Sequence, residues 1–527
     1  MSHVPPMSHA PRTSMLHVPT PSNAAQVVPA TTTSSRTMNI LLVSPRTPDT
    51  FWSFSHVMRL VGRKTAFPPL GLMTVAAMLP RNWNLRLVDL NVTALRDDDL
   101  RWADAVFLSA MIVQEPSARE VITRANALAR PVVAGGPLFT TGAERFPEVA
   151  CCVVGEAEDL METLVADLAA GRLQPRYQAA ERPDIRRTPI PRWDLVDVDD
   201  YLTLSVQFSR GCPFDCEFCD ITAVYGRVPR VKTPARVVEE LDAVLATGWK
   251  GSIFVVDDNF IGNRARTKEL LAAMIAWRDA RGATCNFTTE ASINLVDDPE
   301  LLDLMVRAGF KNVFIGIESP QEESLKECRK VQNTRRDLVA SVRAIHAAGM
   351  QVMAGFIVGF DSDKPGIFEL QRRFIQEAGV STAMVGMLTA LPGTRLFTRL
   401  TVEGRMLGRS SGNNLDAVMN FVPRLDPTML TEGYRSLVGD LYAPRSYYAR
   451  VLVFLRDYRP NGPRAGLRGD DVLAFARSLW VLGVVEPGRW EFWKFIARAG
   501  IFHREAFAEA VEAAIRGYHF RKVAATL

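Results

Sequence analysis

The sequence predicts an α/β protein in three parts: a doubly wound (Rossmann-like) domain, a partial (β/α)6 barrel and a helical carboxyl-terminal domain. Between residues 38 and 172, five short apolar runs alternate with helical stretches, a pattern typical of a doubly wound parallel sheet. Six further apolar runs alternate with amphipathic helices between residues 201 and 408, fewer than the eight units of a full barrel. Across residues 409–527 the alternation gives way to long helical stretches.

Length, net charge and cysteine usage limit the classes of protein to which the chain can belong. A chain of 527 residues is too long for one ordinary domain. Its 62 basic and 58 acidic residues give a net charge of +4 without a dense basic block, so we expect no nucleic-acid partner. The chain shows no secretion signal, and scattered cysteines such as Cys151, Cys152, Cys285 and Cys328 suit buried positions in a reducing cytoplasm.

Two segments have the composition of irregular structure. Residues 1–37 are rich in Pro, Ser, Thr and Ala, which predicts a disordered tail. Its three histidines suggest metal binding only weakly, because nothing fixes their geometry, and Met38 is a candidate for the functional start. Residues 173–200 carry four prolines and no clear period, which predicts a linker between the first two domains.

The first domain has glycines where its predicted strands end. The five apolar runs are residues 39–43, 85–90, 105–110, 131–134 and 151–154. Gly135 and Gly136 follow the fourth run, while Gly155 and Glu156 follow the fifth. Because glycine has no side chain, a ligand could approach the backbone at these points. Turn glycines are common, so the pattern also allows a purely structural role.

Three cysteines in one loop are the strongest chemical signal. Cys212, Cys216 and Cys219 follow the apolar run 202–208 at spacings of three and two intervening residues. Three thiolates can bind three irons of a four-iron cluster and leave the fourth iron open. A zinc knuckle would need a fourth ligand nearby, but the next cysteine is Cys285 and the next histidine is His346. A disulfide would leave one thiol unpaired.

Polar residues end the following strands of the predicted barrel, where such folds keep their chemistry. The remaining runs are residues 252–256, 284–289, 313–317, 351–358 and 383–390. Asp257, Asp258 and Asn259 follow the first of these, and could accept hydrogen bonds from an ammonium group or instead form an Asx turn that caps the next helix. Glu290 and Glu318 end the next two strands, where an unpaired carboxylate would be costly.

The cysteine loop resembles that of the radical S-adenosylmethionine (SAM) superfamily, including the aromatic Phe218 before the last cysteine. The resemblance implies a [4Fe-4S] cluster whose open iron binds SAM and whose electron releases a 5′-deoxyadenosyl radical. It further implies a flavodoxin- or ferredoxin-type electron donor. The resemblance assigns Asp257, Asp258 and Asn259 to the amino group of SAM. It assigns Glu290 and Glu318 to the ribose hydroxyls or the amine of SAM, or to pairing with an arginine of the protein. Exposed backbone at Gly355, Gly359 and Leu391 would contact the adenine.

The first domain resembles the cobalamin-binding domain fused to one class of radical SAM proteins. The similar segments are the run around Pro68, the turn at Gly135 and Gly136, and Val154-Gly155-Glu156. Methionine-synthase-like domains have a histidine where this chain has Asn91. The resemblance therefore implies cobalamin whose lower face is unligated by histidine or weakly ligated. A vestigial, empty domain is the alternative.

Aromatic residues cluster in the carboxyl-terminal region, between Tyr434 and Phe502. Such helices usually form a packed core, although an apolar lid over a flat or lipidic substrate is the alternative. No apolar run reaches 18 residues, so we predict no membrane span. An aromatic helix face would still allow peripheral membrane contact.

Residues 38–527 together resemble cobalamin-dependent radical SAM proteins with a helical extension, a group that includes hopanoid C-methylases and bacteriochlorophyllide methylases. Val255 to Asn263 and Cys219-Asp220-Ile221 are especially similar to the hopanoid enzymes. The resemblance implies radical methylation of an unactivated carbon in a small hydrophobic substrate, a terpenoid or a tetrapyrrole. Cyclisation, ring contraction or oxygen insertion with the same cofactors stays open, as does a non-catalytic sensor.

Overall fold

The computed structural model describes residues 37–461 and 469–527. The predicted tail and its histidines therefore lie outside the described residues. Within the described residues, none of the helices combines the length and apolarity needed to cross a membrane.

The first sheet contains six parallel strands in the order β2-β1-β3-β4-β5-β6. The direction of strand order reverses between β1 and β3, and open sheets of this kind bind ligands at the carboxyl edge of such a point. Five strands match the predicted runs, but β6 lies in the predicted linker and pairs with β5. A three-residue strand is too short to show periodicity, so the prediction of an irregular linker was wrong there. The strands are β1 Asn39–Ser44, β2 Asn84–Asp89, β3 Ala105–Ser109, β4 Val132–Gly135, β5 Cys151–Val154 and β6 Arg176–Gln178.

The second sheet also contains six parallel strands, in the order β14-β13-β12-β11-β10-β7. Its end strands β7 and β14 lie at opposite edges, so the barrel is open, as predicted. A short antiparallel pair, β8 and β9, follows the first strand. The strands are β7 Thr203–Val206, β8 Ser209–Arg210, β9 Arg230–Val231, β10 Ser252–Val255, β11 Phe287–Glu290, β12 Phe310–Glu318, β13 Gln351–Val358 and β14 Thr382–Met387.

Helices connect the parallel strands and make up most of the carboxyl-terminal region. Several begin at a side-chain cap, such as Thr233 before α8 and Asp426 before α15, which satisfies an otherwise free backbone N–H. The α-helices are α1 Ser55–Val61, α2 Leu70–Met78, α3 Asp97–Trp102, α4 Glu115–Ala127, α5 Pro137–Thr140, α6 Met161–Ala169, α7 Ile221–Val224, α8 Pro234–Ala246, α9 Arg264–Arg281, α10 Pro299–Ala308, α11 Glu322–Glu327, α12 Leu338–Ala348, α13 Ile367–Glu377, α14 Arg395–Val402, α15 Pro427–Tyr442, α16 Pro444–Asp457, α17 Gly469–Trp480, α18 Arg489–Phe502 and α19 Phe507–Ala524. A π-helical turn, Val481–Val485, joins α17 to the segment before α18.

The hydrophobic cores do not follow the three predicted parts. The first sheet has a separate apolar core on each face. The barrel and the carboxyl-terminal helices share a single continuous core. The predicted aromatic cluster divides accordingly: Tyr434, Tyr442, Tyr447, Tyr448, Phe454, Tyr458, Phe492 and Phe495 are buried, whereas Trp480, Trp490, Trp493 and Phe502 are exposed. The packed-core prediction is thus right for the first group only.

Close packing of α19 against α16 depends on one glycine. The Tyr447 hydroxyl donates a hydrogen bond to the carbonyl of Ala513, and its ring lies directly over Gly517. A Cβ at Gly517 would clash with the Tyr447 ring. Gly439 in α15 is also helical, but its Cβ position has no neighbour within 4 Å.

We expect Gly517→Ala to lower the free energy of unfolding by about 1–3 kcal/mol, because the methyl group overpacks the core. Gly439→Ala is the matched control and should raise the free energy by about 0.5–1 kcal/mol, since alanine favours helix. Urea unfolding of both variants measures the difference. Equal effects of the two substitutions would contradict the packing described here.

Candidate active site

The cysteine loop has its shape fixed by the strand beside it. Gly211 has a φ of 98°, and a Cβ there would lie 2.8 Å from the carbonyl oxygen of Gly226, so only glycine fits without strain. Asp258 accepts a hydrogen bond from the Gly211 N–H at 2.8 Å. Asp257 accepts from the Phe208 N–H at 2.8 Å and from the Ser209 hydroxyl at 2.6 Å. The residues after β10 therefore hold the loop that follows β7.

The three loop thiols suit a cluster better than a single ion. Cys212, Cys216 and Cys219 are unpaired and lie buried or half-buried, and burial raises the pKa of each thiol. Amide groups lie near two of the sulfurs: Asn259 Nδ2 is 3.8 Å from Cys212 Sγ, and Gln332 Nε2 is 3.9 Å from Cys216 Sγ. Among the described residues no three Cys, His, Asp or Glu side chains converge on one metal ion. A cluster instead binds each thiolate to a different iron.

A buried ion pair, not predicted as such, lies beside these thiols. The Lys330 Nζ is 2.7 Å from the Glu318 Oε1. Burial opposes the charge on Lys330, but Glu318 and the Cys216 sulfur outweigh that effect and raise its pKa. Glu318 has a φ of 63°, an uncommon conformation for a residue other than glycine. Lys330 lies twelve residues beyond the end of β12 and after helix α11, so no strand-end pattern could have identified it.

Glu290 ends β11 as predicted and makes no side-chain hydrogen bond or ion pair in the described part of the chain. Burial and the nearby Asp258 carboxylate raise the pKa of Glu290 to about 7, although Lys330 opposes the shift. Burial also raises the pKa of Asp258 to about 6. The carboxyl edge of the barrel therefore holds two carboxyl groups that a cationic ligand would ionise.

Two predictions for the residues after β10 need correction: the binding of an ammonium group by Asp257, and the Asx turn that would cap the next helix. Asp257 is buried and both of its oxygens are used by the cysteine loop. The next helix, α9, is capped by Asn263, which accepts from the Arg266 N–H, so Asp257 to Asn259 do not form its cap. Asp258 and Asn259 remain beside the loop and Cys212.

Other parts of the protein cover two of the three backbone positions that were predicted to contact adenine. The Gly355 backbone lies against the Phe314 ring, whose Cζ would be 2.9 Å from an added Cβ. The Gly359 N–H donates to Asp363 at 2.8 Å. Neither glycine offers the exposed backbone that was expected, because side chains fill the space. Leu391 is half-buried, and the Phe218 ring lies 6.3 Å from that of Phe360.

At the carboxyl edge of the first sheet, only some of the predicted glycines are open. Gly155 has a φ of 86° and no atom within 4 Å of its Cβ position. Gly135 is half-buried, whereas an added Cβ at Gly136 would lie 2.8 Å from the Ser109 hydroxyl. Pro68 is buried just before α2. Gly155 thus retains its predicted access to a ligand, while Gly136 serves close backbone packing.

Asn91, which was predicted to lie at the cofactor site, forms hydrogen bonds within the protein. Its Oδ1 accepts from the Thr47 N–H at 2.8 Å. Its Nδ2 donates to Asp89 at 2.6 Å and to the Pro45 carbonyl at 3.2 Å. These bonds tie the loop after β1 to the end of β2. Both polar atoms of the Asn91 side chain therefore have partners within the protein.

Glu156 likewise binds other residues of the protein. It lies 2.6 Å from Arg210 and 2.6 Å from Arg230, and Glu158 lies 2.8 Å from Arg210. We call Glu156, Glu158, Arg210 and Arg230 the interdomain ion cluster. Because Glu156 follows β5 and Arg210 precedes the cysteine loop, the cluster joins the carboxyl edges of the two sheets. The prediction of Glu156 as a cofactor ligand missed this pairing, which no local sequence pattern reveals.

Replacement of Glu290 tests the pKa shift. A carboxyl group whose pKa rises from 4.5 to about 7 on folding contributes its full stability below about pH 4.5 and loses it as the pH rises through 7. Glu290→Gln should therefore raise the free energy of unfolding by about 1–3 kcal/mol at pH 8 and little at pH 5, without SAM. Exposed Glu323 provides the control, Glu323→Gln. Denaturant unfolding at both pH values measures the effect, and a pH-independent effect of Glu290→Gln would be inconsistent with the shift.

Three family models match the chain. They are a B12 binding domain over residues 59–165, the radical SAM superfamily over residues 206–369, and a domain of unknown function (DUF4070) over residues 394–527. The first spans strands β2 to β5 of the first sheet, and the second spans strands β8 to β13, which include four of the six barrel strands. The third covers the carboxyl-terminal helices.

Four relatives extend the similarity. An uncharacterized methyltransferase of Synechocystis is 42% identical over 86% of this chain and 86% of its own. The hopanoid C-2 methylase of Rhodopseudomonas palustris is 34% identical over 87% of this chain and 89% of its own. The bacteriochlorophyllide d C-12(1)-methyltransferase of Chlorobaculum tepidum is 25% identical over 68% of this chain and 78% of its own. An anaerobic magnesium-protoporphyrin IX monomethyl ester cyclase of Cereibacter sphaeroides is 26% identical over 62% of this chain and 56% of its own.

Solved structures share the fold. The cobalamin-dependent SAM radical enzyme OxsB, with aqua-cobalamin and SAM bound, superposes with a TM-score of 0.61 at 15% identity and covers 93% of this chain and 81% of its own. The radical SAM methyltransferase TsrM from Kitasatospora setae gives 0.58 at 16% identity over 91% of this chain and 100% of its own. A [4Fe-4S] cluster, SAM and cobalamin are accordingly the cofactors of this fold, and the cysteine loop and the open edge at Gly155 fit them. The chain belongs to the family of cobalamin-dependent radical SAM methyltransferases.

Proposed function

We propose that the protein methylates an unactivated carbon of a small hydrophobic substrate, of the terpenoid or tetrapyrrole class. The observation that carries the proposal is the 34% identity to a hopanoid C-2 methylase over 87% of this chain. That overlap is too long to be confined to the two cofactor domains. The bacteriochlorophyllide relative supports the tetrapyrrole alternative.

The contact between the two sheets supports this chemistry. Arg210 immediately precedes the cysteine loop and pairs with Glu156 and Glu158, which follow β5. A second contact joins the two parts: the Trp52 ring, from the loop after β1, lies 5.1 Å from the Phe314 ring of β12. A substrate between the two edges would thus reach both cofactor sites and meet apolar rings. Such surroundings exclude water from a reactive carbon.

Particular side chains take distinct roles in this proposal. Cys212, Cys216 and Cys219 hold the cluster. Glu290 and Asp258 receive the SAM ammonium group, which would ionise both carboxyl groups. When bound, the cluster supplies an electron to SAM and cobalamin supplies the methyl group.

Acid–base catalysis by histidine plays no part in the proposal. His346 is fully buried, its ring lies 5.0 Å from that of Phe454, and burial lowers its pKa to about 3. The side chain therefore serves packing. Ring closure is the second candidate reaction, because the cyclase relative is 26% identical over 62% of this chain.

Comparison of lipid and pigment masses from cells with and without the gene tests the reaction. We expect one terpenoid or tetrapyrrole to lose one methylene mass in the deletion strain. Complementation with the wild-type gene or with Cys285→Ala, a buried cysteine distant in sequence from the loop, should restore the product, whereas Cys216→Ala should not. If the product mass instead differs by hydrogen or oxygen, the cyclase-type reaction replaces methylation as the proposed function.

We also propose where the electron donor docks. A surface depression of about 270 Å³ borders the cysteine loop and contains three arginines, Arg227, Arg329 and Arg395, with the single carboxylate Asp215. Asp215 pairs with Arg395 at 2.9 Å and with Arg329 at 3.6 Å. The surface beside the cluster therefore keeps a net positive charge, which would attract an acidic flavodoxin or ferredoxin.

The double variant Arg227→Glu/Arg329→Glu tests this docking surface. Flavodoxin-driven SAM cleavage should fall about tenfold at low salt, because charge repulsion slows association. Dithionite-driven cleavage should be unchanged, since a small reductant needs no docking surface. Arg307→Glu, which reverses an exposed charge on α10, is the control. An unchanged flavodoxin-driven rate in the double variant would refute the assignment.

A further inference from the structure

The carboxyl-terminal helices expose an unusual concentration of large apolar side chains. On α18, Trp490 is 68% exposed, Ile501 is 60% exposed and Phe502 is 74% exposed. Trp480, Val484 and Val485, from the end of α17 and the π-helical turn, are also exposed. Isolated exposed apolar residues are common, whereas a contiguous group of this kind marks an interaction surface.

Helical spacing places the side chains of α18 on one stripe. Trp490, Trp493, Ala497 and Ile501 follow one another at intervals of three or four residues, so they share one face of the helix. The opposite face, with Phe492, Phe495 and Ala499, is buried. The Trp493 indole N–H donates to the Gly483 carbonyl at 2.9 Å, which joins the stripe to the π-helical turn. We call α18 and this turn the tryptophan face.

Charges beside the stripe are mainly positive. Arg489, Lys494 and Arg498 are exposed on α18. Glu491 is the only acidic residue of this helix and pairs with Lys494 at 3.0 Å. Tryptophan is enriched at the boundary between lipid headgroups and acyl chains, and exposed cations beside apolar residues suit an anionic bilayer.

We propose that the tryptophan face docks the protein onto an anionic lipid bilayer, with α18 lying parallel to the surface. The helix contains 14 residues and is about 21 Å long, so its apolar stripe can enter the headgroup region along several turns. The cations then contact anionic headgroups. α17 packs on α1 through a hydrogen bond from Arg477 to the Leu60 carbonyl at 3.3 Å, which links the docked surface to the cofactor domains. The proposal does not depend on the reaction catalysed.

Sedimentation of the full-length protein with vesicles tests the docking. Wild-type protein should bind vesicles that contain phosphatidylglycerol at least tenfold more tightly than pure phosphatidylcholine vesicles. Trp490→Ser/Ile501→Ser should weaken binding to both vesicle types at least tenfold. Lys494→Gln/Arg498→Gln should weaken binding to the anionic vesicles by about fivefold per cation removed. Binding to the phosphatidylcholine vesicles should stay the same, so the preference for anionic lipid falls. Val402→Ser/Val418→Ser, which alters exposed apolar residues elsewhere, should bind like the wild type.

Two outcomes would overturn the proposal. The first is wild-type protein that does not sediment with anionic vesicles, or a Trp490→Ser/Ile501→Ser variant that binds as well as the wild type. The second is a concentration-dependent dimer of the wild type that the same variant abolishes while no vesicle binding is seen. In that case a second copy of the chain covers the tryptophan face. Quenching of tryptophan fluorescence by brominated lipids gives an independent readout of insertion.

Discussion

The interdomain ion cluster is the interaction on which the relative placement of the two cofactor sites depends. Glu156 and Glu158 follow β5 of the first sheet. They form ion pairs with Arg210 and Arg230, which lie on either side of the cysteine loop. All four side chains are largely buried, so the loss of one partner would leave an uncompensated charge away from water, which costs about 3–5 kcal/mol. Such a cluster fixes geometry more than it adds stability, and in the proposed reaction a substrate that must reach both cofactor sites depends on that geometry.

Several residues from neighbouring elements support the cysteine loop. Asp257 holds the backbone before the loop, and Gly226 provides the carbonyl against which Gly211 turns. Lys330 adds a cation beside Cys216, paired with Glu318. A cluster bound by three thiolates carries negative charge, so a nearby buried cation stabilises it. The loop thus depends on side chains from the segment after β10, from β12 and from the segment after α11.

Periodicity was sufficient to predict the strands, because five of the first sheet and six of the second coincide with apolar runs. The cysteine spacing was sufficient for the cluster loop. Side-chain partners were not predictable in the same way: Glu156 meets Arg210 from 54 residues away, and Glu318 meets Lys330 from the far side of helix α11. Asn91 and Gly136 were placed at the right edge of the sheet, but their local hydrogen bonds and packing are set by the neighbouring strands. Pairing across a fold has no periodic signature.

The shared core of the barrel and the carboxyl-terminal helices affects how the chain unfolds. Side chains of β12 and β13 and of α15, α16 and α19 belong to one apolar cluster, so exposing either part removes the packing of the other. The first sheet keeps its own two cores. Because Phe51 and α1, between β1 and β2, also belong to the shared core, we expect partial denaturation to give at most two cooperative units rather than three. The boundary near residue 409 divides secondary-structure patterns, but it is not a boundary between folding units.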